Sequence, residues 1–225
     1  HEATDILLCT GSSPAIPPIP GVDLEHVVDS SGILLRETLP NHLVVVGGGV
    51  IGCEFACMYA SVGVQVTVLE AMPEICPNLD PEVSASLREG LAKKGVTFNL
   101  GAKVESISAD KVSYADDSGS NELEADLVLV ATGRRPNTKN LGLEELGLDI
   151  DDRGGVRVDN RGATNIPGLW AAGDVTGQAW LAHAASRMAE VVVNNITGRK
   201  DHMRYDSMPA VVYTCLLYTS DAADD

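Results

Sequence analysis

Three features of the 225-residue sequence predict an α/β fold. The first is a strand–turn–helix–strand run from Leu43 to Glu70, whose length of about thirty residues is that of a βαβ crossover. The second is composition: 22 glycines against 4% aromatic residues. The third is an internal echo, in which Asp5-Ile6-Leu7-Leu8-Cys9-Thr10-Gly11-Ser12-Ser13-Pro14 is matched by Asp126-Leu127-Val128-Leu129-Val130-Ala131-Thr132-Gly133-Arg134-Arg135-Pro136. Two strand ends of one design, each closing in Thr-Gly-x-x-Pro, point to two related α/β domains, one interrupting the other.

The elements follow in order. Asp5 to Thr10 reads as a strand, and Ser12 to Gly21, with prolines at 14, 17, 18 and 20, as an extended loop. Leu43–Val46 is a buried parallel-type strand, Gly47–Gly49 turns it, Val50 to Val62 is a helix, and Val64 to Leu69 is a second strand ending in Glu70. Asp80 caps a further helix with Pro81 at its first position, running to about Lys94 before Gly95. Strands are expected near 97–100, 103–107 and 111–114, then a polar turn over 116–121 between antiparallel strands, then a buried strand from Leu127 to Ala131. A short strand ends in Gly173-Asp174, and Leu181-Ala182-His183-Ala184 opens a helix to about Ile196, stopped by Gly198.

Composition bounds the function. With 44% hydrophobic residues the chain can build one large or two small domains. Sixteen basic against 32 acidic residues give a net charge of −16, which repels nucleic acid and anionic membranes. The longest apolar runs are strand-sized, far below the roughly 18 residues of a membrane helix. Five irregularly spaced cysteines without a signal-like N-terminus do not read as a secreted disulfide framework, so a soluble cytoplasmic protein is expected. The sequence opens at His1 inside a strand, and Cys215 to Asp225 lacks either periodicity and resembles a translated sequencing adapter. A fragment truncated at both ends, with a non-native tail over 215–225, is the expectation.

Gly47-x-Gly49-x-x-Gly52 follows a buried strand and opens a helix. In this setting the first glycine permits the tight turn, the second lets backbone approach a pyrophosphate, and the third packs helix on strand. The amides of Gly48, Val50 and Ile51 lie in the same turn, at the positive end of the helix dipole. Glu70, 18 residues beyond Gly52, ends the next strand, where a carboxylate can accept from a ribose diol. No Arg or Lys lies between Ala71 and Asp80 to bind a 2′-phosphate, so NAD(H) is expected over NADP(H). The fold class is therefore α/β with two Rossmann-like nucleotide-binding domains. Asp174 stands at a strand's C-terminal edge, where ligands of parallel sheets sit, and a helix N-terminus at 181–183 can stabilise negative charge on a reduced isoalloxazine.

Gly-Gly-Gly-Val-Ile-Gly-Cys-Glu (47–54), Ala-Thr-Gly-Arg-Arg-Pro-Asn (131–137), Trp-Ala-Ala-Gly-Asp-Val (170–175) and Leu-Ala-His (181–183) together resemble the pyridine nucleotide–disulfide oxidoreductases, over residues 1 to 214. Within them the sequence is most similar to the dihydrolipoamide dehydrogenase branch. The resemblance implies an NAD-binding domain at 39–147 inserted in a partial FAD domain at 1–38 and 148–199, with 200–214 starting a dimerisation domain. It implies that Gly47 to Gly52 hold the NAD pyrophosphate and Glu70 the adenosine ribose, with Val104 and Gly133 lining the same site. Thr10, Gly11 and Ser12 would touch the adenylate half of FAD, Asp174 its ribityl or pyrophosphate region, and Leu181, Ala182 and His183 the isoalloxazine. Glu54 would pair with a lysine upstream of this sequence. The implied partners are dihydrolipoyl groups of a 2-oxoacid dehydrogenase or glycine cleavage complex, and a second copy in a homodimer.

The sequence departs from that pattern in its chemistry. The family's Cys-x4-Cys dithiol, its first FAD-binding glycine loop and its His-Pro-Glu base do not occur here, so catalytic residues are absent and the 225 residues alone are expected to be inactive. Cys53 and Cys57, four apart on a helix, read as buried core thiols. His1, His26, His42 and His202 read as dispersed surface residues, and no pair has metal-ligand spacing. Other readings are an NADH oxidase, coenzyme A disulfide reductase or mercuric reductase of the same superfamily, or a non-catalytic NAD-binding module.

Overall fold

A computed structural model describes residues 2–214. His1 and the adapter-like stretch 215–225 lie outside the described residues. The strands are β1 (Ile6–Leu8), β2 (Ser12–Pro14), β3 (Val27–Val28), β4 (His42–Val46), β5 (Gln65–Glu70) and β6 (Val96–Leu100). After them come β7 (Lys103–Ile107), β8 (Lys111–Asp116), β9 (Gly119–Glu124), β10 (Leu127–Val130), β11 (Arg134–Pro136) and β12 (Leu169–Ala171). The α-helices are α1 (Val50–Ser61), α2 (Pro81–Lys93) and α3 (Ala182–Ile196). These elements form two compact units, residues 2–13 with 134–210, and residues 14–133 with 211–214.

The second unit is built on a five-stranded sheet in the order β3-β10-β4-β5-β6, parallel throughout. Alternate residues of its strands serve two cores, as the two-residue period of a strand requires. Leu43, Val45, Val66, Val68, Leu127 and Leu129 pack with Ala56, Leu87 and Leu91 of α1 and α2. Val44, Val46, Leu69 and Val128 pack on the opposite face with Ile107, Val112 and Tyr114. Those last residues belong to the antiparallel sheet β7-β8-β9. All of β4 is buried, and each fully buried Val or Leu contributes about 1.5–3 kcal/mol. The insertion's ends meet: the Ala15 N–H donates to the Gly133 carbonyl at 2.9 Å, and the Thr132 hydroxyl to the Ala15 carbonyl at 2.9 Å.

α2 starts as its sequence dictates. The Asp80 carboxylate accepts from the Glu82 N–H, and Pro81 fills the first turn. By contrast α1 begins at Gly49 with no side-chain cap. The hairpin between β8 and β9 is tighter than the expected six-residue turn, because Asp116 already pairs with Gly119. Val27–Val28 joins the sheet edge although nothing local marks it as a strand. His42 is not a surface residue: it is buried in β4 with its ring Nε2 2.9 Å from the Thr67 hydroxyl, and burial lowers its pKa. His26 is half-buried, whereas His202 is exposed as expected.

In the first unit, β1 and β12 pair in parallel, Leu7 opposite Trp170. Ser12 and Ser13, expected within a loop, instead belong to β2, which pairs with β11. The echoed Thr-Gly-x-x-Pro segments are thus partners of one another. α3 buries Met188, Val191 and Val192 with Ala172 and Met203, and Leu143, Leu148, Val156 and Leu169 form a further core. No helix among the described residues is long and apolar enough to cross a membrane.

Candidate functional site

The turn after β4 gives each fingerprint glycine a distinct steric reason. Gly47 has φ +108°, a region L side chains avoid, and a Cβ there would stand 2.6 Å from the Ala131 carbonyl oxygen. A Cβ on Gly52 would collide with the Gly47 carbonyl oxygen, so only glycine lets α1 press on the turn. Gly49 is different: its φ is −72°, and a Cβ would meet nothing within 4 Å. No neighbour demands glycine at 49, so its smallness leaves open space in front of an uncapped helix start. The first-turn amides of α1, at Val50, Ile51 and Gly52, have no intrahelical acceptor. Donors converging with the helix dipole on open space are suited to an anion.

Glu70 ends β5 beside that turn and is 9% exposed. Its Oε2 accepts from the Gly48 N–H at 2.5 Å, and its Oε1 from the Met72 N–H at 2.7 Å. A carboxylate oxygen has two acceptor sites, so each keeps capacity for a hydroxyl. The carboxylate thus shapes the turn as well as offering itself to a diol, a structural role that its position at a strand end does not reveal. The turn is further tied by the Cys76 N–H donating to the Gly48 carbonyl at 2.9 Å. Cys76, which sequence reasoning left aside, brings its Sγ to 3.9 Å from that of Cys53. Both are buried and free. Cys57 is likewise buried, and its thiol donates to the Thr214 carbonyl at 3.2 Å.

The remaining residues expected in this unit are Val104, Gly133 and Glu54. Val104 is half-buried against the core of Val44, Val46 and Leu69. Gly133, at φ +116°, has open space at its Cα, and its carbonyl accepts from Ala15. Glu54 accepts from the Tyr213 N–H at 2.9 Å.

In the first unit the Ser12 hydroxyl donates to Asp174 Oδ2 at 2.6 Å. Arg134 Nε donates to the Ser12 hydroxyl oxygen at 2.7 Å, and its terminal nitrogen to the Ser12 carbonyl at 2.9 Å. Its guanidinium lies 3.9 Å from Asp174. Thr10 is bound to Asn137 twice, its hydroxyl donating to the Asn137 carbonyl at 2.7 Å and its carbonyl accepting from the side-chain amide at 3.0 Å. The Gly11 carbonyl accepts from the Asn137 N–H at 2.9 Å. Ser12 and Asp174 were expected from sequence; Arg134 and Asn137 stand within a noted motif but had no assigned task. The geometry gives them one, since they fix the Thr10–Ser12 backbone. Leu181 caps α3 without a side-chain bond, Ala182 is its first residue, and His183 Nε2 lies 3.0 Å from the Pro209 carbonyl oxygen.

A parallel sheet with a glycine turn, an uncapped helix and an acid closing the next strand is the arrangement of α/β domains of the Rossmann type. The chain belongs to the pyridine nucleotide-disulphide oxidoreductase family, whose model matches residues 1–189. It is 43% identical over 221 residues to dihydrolipoyl dehydrogenase 3 of Pseudomonas putida, covering 95% of this chain and 47% of that protein. It is 39% identical to the dihydrolipoyl dehydrogenase of Chlamydia muridarum, covering 95% and 46%. Among solved structures, the HOCl-induced flavoprotein disulfide reductase RclA of Escherichia coli, as a Cu(II) complex, matches with TM-score 0.85 and 34% identity over 93% of this chain and 48% of that one. LpdA of Mycobacterium tuberculosis matches with TM-score 0.86 and 32% identity, covering 95% and 47%. The chain spans about half the length of the curated relatives it matches.

Proposed function

We propose that this chain carries the NAD(H)-binding domain, over residues 39–147, and part of the FAD domain, over 1–38 and 148–199, of a dihydrolipoyl dehydrogenase. The observation that carries the reading is the open space at Gly49 before the uncapped start of α1, flanked by the Glu70 carboxylate. Gly47, Gly48 and Gly49 shape the turn that receives the pyrophosphate, with the amides of Gly47 and Gly48 spent on Leu69 and Glu70, and the open amides of Val50, Ile51 and Gly52 are its donors. Glu70 receives the adenosine ribose and disfavours a 2′-phosphate, and Val104 and Gly133 line the same site. Thr10, Gly11 and Ser12, held by Asn137 and Arg134, receive the adenylate half of FAD. Asp174 takes the ribityl or pyrophosphate region, and Leu181, Ala182 and His183 lie along the isoalloxazine. Glu54 serves a lysine of the longer protein.

FAD and NAD, when bound, supply hydride transfer. The work of these residues is to bind, orient and shield the coenzymes. The whole protein is proposed to be a cytoplasmic homodimer, with residues 200–214 at its dimerisation domain, serving dihydrolipoyl groups of a 2-oxoacid dehydrogenase or glycine cleavage complex. The family's Cys-x4-Cys pair does not occur in this sequence, and the chain alone is proposed to bind coenzyme without reducing NAD+ at the expense of dihydrolipoamide. Calorimetric titration tests the reading. NADH should bind at least roughly tenfold tighter than NADPH, a difference of about 1.4 kcal/mol. A folded sample giving no heat with millimolar NADH overturns it.

A further inference from the structure

Two thiols share one carbonyl beside the dinucleotide turn, and the coenzyme reading gives neither a task. Cys53, on α1 one residue beyond Gly52, has its Sγ 3.4 Å from the Gly48 oxygen. Cys76, between β5 and α2, has its Sγ 3.6 Å from the same oxygen and 3.9 Å from the Cys53 Sγ. Helix α1 fixes the first thiol. The second is fixed by its backbone: φ is +45°, a left-handed conformation that persists in a non-glycine residue only where the surroundings over-determine it. They do so here. The Cys76 N–H donates to Gly48 at 2.9 Å, while its carbonyl accepts from the Leu79 N–H at 2.9 Å and the Ser84 hydroxyl at 3.2 Å. Cys57 does not compete for either thiol, since its own is spent on the Thr214 carbonyl.

We propose that Cys53 and Cys76 are a two-electron redox pair that closes to a disulfide on meeting hydrogen peroxide, and that closure loosens NAD(H) at the adjoining turn. The second half rests on the coenzyme reading above. The hydrogen bond it shares with Cys53 holds the Cys76 thiol below its ordinary range, whereas that bond and burial push Cys53 up. Closure that begins at the Cys76 thiolate gives the same disulfide as closure that begins at Cys53. The Cys76 thiolate attacks one peroxide oxygen and the O–O bond breaks; the departing hydroxide takes up the proton the thiol had released and leaves as water, and Cys76 becomes a sulfenic acid. The Cys53 sulfur then displaces hydroxide from that sulfur, its proton leaving with the second water. Two thiols are oxidised and one peroxide is reduced to two waters.

A disulfide needs its sulfurs at about 2.05 Å, well inside the present separation. Closing that gap pulls on the Cys76–Gly48 hydrogen bond, and through Gly48 on the turn whose amides would face the pyrophosphate.

The test is oxidation of the reduced 225-residue chain with hydrogen peroxide, alkylation under denaturing conditions, and cleavage after glutamate. Cuts at Glu37, Glu54, Glu70, Glu74 and Glu82 place Cys53, Cys57 and Cys76 on separate peptides, 38–54, 55–70 and 75–82. Peptides 38–54 and 75–82 should appear joined, lighter by the two hydrogens lost, and separate again on reduction. Cys53→Ser and Cys76→Ser should abolish the link and Cys57→Ser preserve it. A link through Cys57, or sulfinic acid at Cys76 in place of a link, overturns the pair. Because a binding constellation tolerates displacements of only about 0.5 Å, NADH affinity should fall roughly tenfold on oxidation and return on reduction, with no change in Cys53→Ser. An unchanged affinity in the linked protein overturns the coupling. Reduced protein that does not bind NADH condemns the coenzyme reading, while the peptide map still judges the pair.

Discussion

Glu70 turns its carboxylate onto the Gly48 amide, and so an acid at the end of one strand shapes the turn at the end of its neighbour. The same side chain holds Met72 through its other oxygen. A residue whose type and position suggest a ligand contact is also a strut, and the two tasks can be separated by substitution.

Glu70→Ala should lower stability and coenzyme affinity together. It strips the acceptor from the amides of Gly48 and Met72, a loss of about 1–3 kcal/mol where a donor stays unsatisfied. Glu70→Gln retains a carbonyl acceptor and should recover much of the melting temperature but less of the NADH affinity. Thermal unfolding monitored by circular dichroism and NADH titration of both variants check this. Equal affinity in all three proteins would place the ribose elsewhere.

Gly49→Ala and Gly52→Ala form a contrasting pair. A methyl at 49 has room and an ordinary φ, so the protein should melt within a degree or two of the parent, while NADH affinity drops as the methyl occupies the phosphate seat. A methyl at 52 strikes the Gly47 carbonyl, so this variant should be destabilised by about 1–3 kcal/mol, as for other overpacked sites, and lose binding with it. Urea unfolding alongside NADH titration reads both. Undiminished NADH binding by Gly49→Ala would show that nothing approaches that backbone.

Asp80→Ala tests the second unit without touching the turn. Loss of its cap on the Glu82 amide should cost about 1 kcal/mol. NADH affinity should be unaltered, which calorimetry can verify.

Asp201 should govern part of the acid response of the first unit. Hydrogen bonds from Arg187 and Asn194 hold its carboxyl at about 2, below its ordinary 3.8. The native state thus favours the ionised form, and the stability this confers is complete above the ordinary value and lost as pH falls through about 2. Asp201→Asn does not titrate and should flatten the melting temperature's dependence on pH between about 4 and 2, a window set by those same two values. Scanning calorimetry across that range measures it.

What the sequence disclosed is what local pattern encodes. Leu43–Val46, the glycine turn, the helix behind it and Glu70 lie in one contiguous stretch, where periodicity and steric need coincide. Asp80-Pro81 announced α2 for the same reason. Non-local pairing was hidden. Val27–Val28 is a strand only because β10 lies beside it, and Ser12–Pro14 only because Arg134–Pro136 does. His42 is polar yet buried because the hydroxyl of Thr67 on the neighbouring strand receives it. In the candidate site, Ser12 was named through a family resemblance and Asp174 through its place at a strand's end, and neither sign foretold the hydrogen bond that joins them. Arg134 and Asn137 acquire their tasks from partners more than a hundred residues distant, and Cys76 from a thiol 23 residues away.

The hydrogen bonds that join Ala15 to the Thr132 hydroxyl and the Gly133 carbonyl give the inserted segment adjoining ends. A stretch of chain that leaves where it arrived is portable: it asks of any host only a gap one peptide wide.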